Sequence, residues 1–112
     1  MIVLVCGGRD FRRFDLFLSA VNLLPEPPEL MIHGGAAGAD RMTERYGRMS
    51  GVHWASVPAL WNNNGKAAGG IRNGAMLLLK PDYCLAMPGS TGTQDMVDKC
   101  RVANVPVWRP FG

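Results

Sequence analysis

The chain is short of the residues that build cross-links and metal centres. Its three cysteines, Cys6, Cys84 and Cys100, are odd in number and form no C-x-x-C spacing, which excludes a disulfide framework and a zinc site of the usual kind. With only two histidines, His33 and His53, no metal-ligand pattern is visible, and no resident cofactor is expected. No apolar run approaches the ~20 residues that a membrane span requires. The first residues, Met1 to Cys6, are apolar but lack the basic flank of a secretory signal, and Gly7-Gly8-Arg9-Asp10 follows at once. They read as a first buried strand of a cytoplasmic protein. Charge of one sign is not concentrated either. Twelve Lys+Arg against nine Asp+Glu leave +3, and the basic residues are scattered, without the clustered face of a dedicated nucleic-acid binder. There is no linker, low-complexity tract or internal repeat.

What is present suits one domain over residues 1–112, with 47% apolar and 19% charged residues, enough to bury a core. Ile2 to Cys6 has no polar interruption, as a parallel strand covered on both faces requires. Phe14, Phe17, Leu18, Val21 and Leu24 follow helical spacing up to Pro25-Glu26-Pro27-Pro28. Leu30 to His33 predicts a second strand. After it comes a helix with Ala39, Met42, Thr43, Tyr46 and Met49 inward and Arg41, Glu44, Arg45 and Arg48 toward water. Val52 to Val57 predicts a third strand, and Pro58 to Gly70 one long irregular segment of the sort that is usually functional or disordered. A helix from Ile71 to Lys80 is expected, with Ile71, Ala75, Leu78 and Leu79 inward. Then come a strand over Tyr83 to Met87, a helix from near Gln94 with Met96, Val97, Cys100 and Ala103 on one side, and an edge strand, Val105 to Trp108, that tolerates Pro106. This alternation predicts an α/β fold: a Rossmann-like three-layer α/β/α domain with a five-stranded parallel sheet. With strand order 3-2-1-4-5, ligands are expected beyond the carboxyl ends of strands 1 and 4, where the order reverses.

Glycine turns stand at those ends. Pro88-Gly89-Ser90-Thr91-Gly92-Thr93 lies between an apolar strand and a helix, where free backbone N–H groups and the helix dipole meet at a point suited to phosphate. Ser90, Thr91 and Thr93 add hydroxyls. Gly7-Gly8-Arg9-Asp10 would form the opposite lip, with Gly34, Gly35 and Asp40 after the second strand and Trp61 and Lys66 in the long segment bordering the opening. Arg72, with Asn73 beside it near a helix start, is the side chain best suited to close on a phosphate in a bidentate contact. Lys66 and Arg9 read equally as surface residues. Trp61 is suited to stacking on a base or to plugging its loop onto the core. His33 reads as a hydrogen-bonded structural histidine and His53 as packing or surface. Asp10 and Asp40 read as ribose ligands, and Asp40 equally as a helix N-terminal residue.

Taken together, Gly7-Gly8-Arg9-Asp10-Phe11, His33-Gly34-Gly35-Ala36 with Gly38-Ala39-Asp40, Trp61 with Gly65-Lys66-Ala67-Ala68-Gly69, Ile71-Arg72-Asn73 with Met76, and Pro88-Gly89 with Gly92-Thr93 resemble the small YspA-type domains of the SLOG superfamily. The match covers nearly the whole chain. The resemblance implies a Rossmann-like fold, a nucleotide or nucleotide-derived ligand, and a homodimer or higher homo-oligomer paired through helices. Relatives include the LOG phosphoribohydrolases and the DNA-processing protein DprA. LOG enzymes carry an Arg-Lys-x-x-Met helix and a Pro-Gly-Gly-x-Gly-Thr-x-x-Glu turn, in which the arginine and final glutamate serve catalysis. Arg72-Asn73 with Met76 matches the first and keeps the arginine. Pro88 to Thr93 matches the second with Ser90 for the middle glycine, but Met96 stands at the glutamate position. A thioether takes no proton, and Asp95, the nearest carboxylate, is turned about 100° away on a helix.

Three functions follow in order. The first is a binding module that senses or sequesters a nucleotide or nucleotide-like molecule. The second is an N-glycosidic hydrolase of the LOG type acting on nucleoside monophosphates, with Arg72 and Asp95 as catalytic candidates and Asp10 or Asp40 as alternative acid or nucleophile. The third is DprA-like single-stranded DNA binding, against which the dispersed Trp54, Trp61 and Trp108 argue.

Overall fold

The computed structural model describes residues Met1–Gly112. Strand β1 (Ile2–Cys6) leads into helix α1 (Phe14–Asn22), β2 (Leu30–His33) into α2 (Ala39–Ser50), and β3 (His53–Ser56) into a helical stretch. That stretch is made of α3 (Trp61–Asn64), a 3-10 turn (Gly65–Ala67) and α4 (Ala68–Leu77). Strand β4 (Tyr83–Ala86), α5 (Thr91–Val102) and β5 (Val107–Trp108) complete the chain. All pairings are parallel, in the order β3-β2-β1-β4-β5. The expected fold class and strand order are therefore those of the structure. No helix is long and apolar enough to cross a membrane.

Alternation along β1 divides the core. Val3 and Val5 pack with Phe17, Val21 and Met42 beneath α1 and α2, whereas Leu4 and Cys6 pack with Met76, Met96 and Val97 beneath α4 and α5. Because successive strand side chains point to opposite faces, one apolar strand serves both layers. The second layer also holds all three cysteines, with the Cys6 and Cys84 sulfurs 3.9 Å apart. Contact with the Cys100 and Cys6 thiols, together with burial, pushes the Cys84 thiol above its ordinary range. It stays protonated and chemically quiet.

Several expected boundaries and faces differ. The last helix begins at Thr91 rather than near Gln94, and β3, β4 and β5 are shorter than their apolar runs. Pro58 to Gly70 is largely helical: Asn63 and Asn64 donate backbone N–H groups to the Leu60 carbonyl at 3.1 and 2.9 Å, closing a turn that continues into α4. On α4 the buried residues are Ala68, Asn73 and Met76, while Ile71, Leu78 and Leu79 are exposed. The buried amide of Asn73 fixes the inward face, against the simple apolar count. On α2, Met49 is exposed and Gly47 takes the inner position. A Cβ at Gly47 would lie 2.7 Å from the Val52 carbonyl oxygen, so only glycine fits against the turn into β3. Ala103 lies beyond α5 and is exposed.

Candidate functional site

Three loops interlock where the strand order reverses. The Gly8 N–H donates to the Pro88 carbonyl at 2.8 Å, tying the β1–α1 turn to the β4–α5 turn. Gly7 passes so close to Met87 and Ala39 that a Cβ there would lie 2.8 Å from the Met87 Cβ and 2.6 Å from that of Ala39. The third loop, β2–α2, is held from within. Asp40, buried, accepts the N–H groups of Ala36 at 3.0 Å and Gly34 at 3.2 Å. Burial pushes its carboxyl above the usual range, opposed by those two bonds. Asp40 thus shapes its own loop through Oδ2 and also borders the cleft at the end of the sheet. His33 is structural, as expected: it is buried, and its Nδ1 accepts the Gly35 N–H at 2.9 Å. Its Nε2 lies 2.9 Å from Glu44 Oε2, poorly aligned for a hydrogen bond.

Helix α5 starts at the edge of this region, uncapped by any side chain, as α1 and α2 also are. Gln94 donates to the Ser90 carbonyl at 3.0 Å, but no side chain caps the helix. The N–H groups of Thr91, Gly92 and Thr93 have no partner within the protein. Unfilled donors at a helix N-terminus carry partial positive charge. Thr93 itself is buried, packed against Gly89.

Arg72 and Asn73 brace this region from α4. Asn73 donates through Nδ2 to the Gly92 carbonyl at 3.2 Å and to Asp95 Oδ2 at 2.9 Å, and its Oδ1 accepts Arg72 Nε at 3.0 Å. Arg72 Nη1 donates to the Gly34 carbonyl. A guanidinium carries five N–H groups, so these two bonds orient Arg72 and leave three donors unspent. Asp95 is bound to Lys99 at 2.6 and 2.8 Å. That contact, with help from Asn73, lowers its carboxyl below the ordinary range.

A cleft of about 990 Å³ opens between these elements. Gly7, Gly8, Arg9 and Asp10 line it from the first turn, Gly34 and Asp40 from the second, and Trp61 and Lys66 from the helical stretch. Arg72, Asn73 and Asp95 line it from α4 and α5, and Gly89, Ser90, Thr91, Gly92 and Thr93 from the fourth turn. Two expected residues stand outside it. Pro88 spends its carbonyl on Gly8, and Gly35 faces a smaller neighbouring cavity. Sequence reading missed Gly69 and Gly70, where α4 forms a cleft wall, and Met76 and Met96 on the floor. The Gly69-Gly70 pair inside a helix was the available signal, since such glycines usually have a packing or functional reason. Of the charged lining groups, Asp95 is paired with Lys99, while Arg9, Asp10, Asp40, Lys66 and Arg72 form no ion pair, and Asp40 turns one carboxyl oxygen to the N–H groups of Gly34 and Ala36. Three cations and the free N–H groups of α5 thus share the cleft with three carboxylates.

Gly34 is the position that admits Arg72: a Cβ there would overlap the guanidinium. Its backbone does not have positive φ. Gly34→Ala is expected to change the urea midpoint little, because the end of a flexible side chain gives way, while displacing Arg72 from its seat. Heteronuclear NMR of the arginine Nε resonances would register the displacement; an unmoved Arg72 signal would contradict it.

An open parallel sheet with polar, glycine-bearing turns at its point of reversal defines a Rossmann-like α/β domain. The profile of the YspA, cpYpsA-related SLOG family matches residues 1–63. The chain is 36% identical over 117 aligned positions to the Gene 61 protein of Mycobacterium phage D29, an alignment covering 94% of this chain and 92% of that protein. The chain belongs to the YspA, cpYpsA-related SLOG family. No solved structure matches it significantly.

Proposed function

We propose that the chain binds a nucleotide or nucleotide-derived small molecule by its phosphate and holds it without rapid turnover. The observation that carries this reading is the meeting, in one cleft, of the three unpartnered N–H groups that open α5 with the braced guanidinium of Arg72. Helix N-terminal donors and a guanidinium are complementary to a phosphate in charge and direction. Family membership is compatible with a nucleotide-related ligand.

Hydrolysis is the second reading, and it has fewer groups to draw on. Release of a base from a nucleoside monophosphate needs a proton donor at the leaving nitrogen. Asp95 is kept ionised by Lys99 and Met96 has no proton to give, which leaves Asp10 and the buried Asp40 as the carboxyls that hydrolysis would need.

Calorimetric titration with AMP tests the proposal. Wild type is expected to bind, and Arg72→Ala to bind roughly 10- to 100-fold more weakly, the range of a charge-assisted hydrogen bond. Its thermal midpoint should stay close to wild type, since Arg72 is only half-buried. Absence of binding by wild type at millimolar AMP and at millimolar ribose 5-phosphate would remove the reading.

A further inference from the structure

Arg72 is seated on a peptide group whose far edge is held by His33, a buried residue that the phosphate reading leaves without a role. His33 ends β2. Its carbonyl accepts the Val57 N–H at 2.8 Å, so its backbone is clamped beside β3. The ring reaches two ways: Nδ1 accepts the Gly35 N–H at 2.9 Å, and Nε2 faces Glu44 Oε2 on α2 at 2.9 Å. A ring nitrogen that accepts a hydrogen bond carries no proton, so the ring proton stands on Nε2, toward the carboxylate. Arg48 lies 3.4 Å from the other Glu44 oxygen and keeps that carboxylate company.

The Gly35 N–H and the Gly34 carbonyl belong to the same peptide unit. Such a unit is planar and trans, so its N–H and C=O point to opposite sides. His33 Nδ1 holds one edge, and the carbonyl at the other edge receives Arg72 Nη1. Fixing the N–H therefore fixes the direction in which the carbonyl meets the guanidinium.

The chain alone does not hold this plane. It lies between two glycines, Gly34 and Gly35, the second at φ +77°, and a peptide flanked by glycines rotates with the least steric resistance. Asp40 secures the peptides on either side, through the N–H groups of Gly34 at 3.2 Å and Ala36 at 3.0 Å. The peptide that carries Arg72 is left to His33.

We infer that His33 is a positioning residue for Arg72: through the Gly34–Gly35 peptide its Nδ1 sets where the guanidinium stands in the cleft, while Glu44 keeps the ring proton on Nε2. The seat of Arg72 is independent of any ligand, and only the affinity arm of the test rests on the phosphate reading.

Two variants separate the acceptor from the bulk of the ring. His33→Leu removes both nitrogens at similar size, and His33→Asn places Oδ1 where Nδ1 stood, able to accept the Gly35 N–H. The Arg72 Nε resonance is expected to shift in the leucine variant and to keep its wild-type position in the asparagine variant. AMP affinity should fall roughly 10- to 100-fold in the first, to the level of Arg72→Ala, and return with asparagine to within about three-fold of wild type. A purely structural histidine gives another pattern, because asparagine is the smaller residue and loses more packing: both variants would then be less stable with Arg72 unmoved. An unmoved Arg72 signal in the leucine variant, or equal displacement in both, overturns the inference. Wild type supplies a measurement that needs no variant. Heteronuclear NMR of the imidazole should find Nδ1 bare and coupled across its hydrogen bond to the Gly35 N–H; a proton on Nδ1 overturns the inference even if neither variant folds. Failure of wild type to bind AMP and ribose 5-phosphate would remove the phosphate reading alone, with the Arg72 resonance still deciding the role of His33.

Discussion

Replacing Gly38 by alanine is expected to cost the domain roughly 3–4 kcal/mol, the sum of a strained backbone and an overpacked contact. Gly38 precedes α2 with φ +75° and ψ −126°, a region that L side chains rarely enter. A Cβ there would lie 2.8 Å from the Arg9 carbonyl carbon and closer still to the Gly8 carbonyl oxygen. Those atoms are backbone, and Gly8 is held in turn to Pro88 at 2.8 Å. One methyl group therefore presses on three loops at once. Against a total stability of about 5–15 kcal/mol, the thermal midpoint should fall by roughly 10 °C or more. Gly51→Ala separates the two causes. Gly51 ends α2 in the left-handed region at φ +72°, where a Cβ would meet nothing within 4 Å, and the substitution should cost only about 1 kcal/mol. Urea titrations of the two variants decide the matter. Equal losses would mean that the loops do not interlock at Gly38.

The same crossing explains which parts of the molecule were legible in the sequence. The strands were, because Ile2 to Cys6 and Tyr83 to Met87 are apolar without interruption and a parallel sheet buries both faces. The convergence of turns was also legible, since glycine clusters after strands mark the carboxyl end of the sheet. The stretch from Pro58 to Gly70 was not. Asn62-Asn63-Asn64-Gly65 has poor helix propensity, and its turn is closed by the N–H groups of Asn63 and Asn64 on the Leu60 carbonyl and by continuity with α4. The orientation of α4 was misread for a related reason. Ile71 and Leu78 outweigh Asn73 in an apolar count, yet the Asn73 amide bonds to Arg72 on its own helix and to Gly92 and Asp95 on α5. Polar satisfaction inside a layer is a pairwise property that a single sequence does not display. Asp40 and Asp95 follow the same rule. Each has partners within the protein that the sequence did not display, Asp40 through Oδ2 in the N–H groups of Gly34 and Ala36 and Asp95 in Lys99 one helical turn on.

Binding and hydrolysis part at Met96, and Met96→Glu is expected to destabilise the domain without creating an enzyme. Met96 is fully buried among Leu4, Met76, Ala86 and Val97, although it borders the cleft floor. A carboxyl placed there has no cation beside it, because Lys99 is already bound to Asp95. Desolvation raises such a group by up to about 3–5 pKa units, and at about 1.36 kcal/mol per unit the loss near neutral pH is about 4 kcal/mol. The sign of the pH dependence follows. With its folded pKa above the unfolded value of about 4.3, the introduced group costs little below that value, and the deficit grows as pH rises toward the folded pKa. Urea midpoints for variant and wild type should therefore lie closer together at pH 5 than at pH 7.5. AMP incubated with the variant should release no free adenine. A deficit that does not change with pH would mean that the carboxyl has turned into the water of the cleft. Adenine release in that case would show that one methionine is all that separates this cleft from a glycosidase, and the reading of the chain as a binding module would give way.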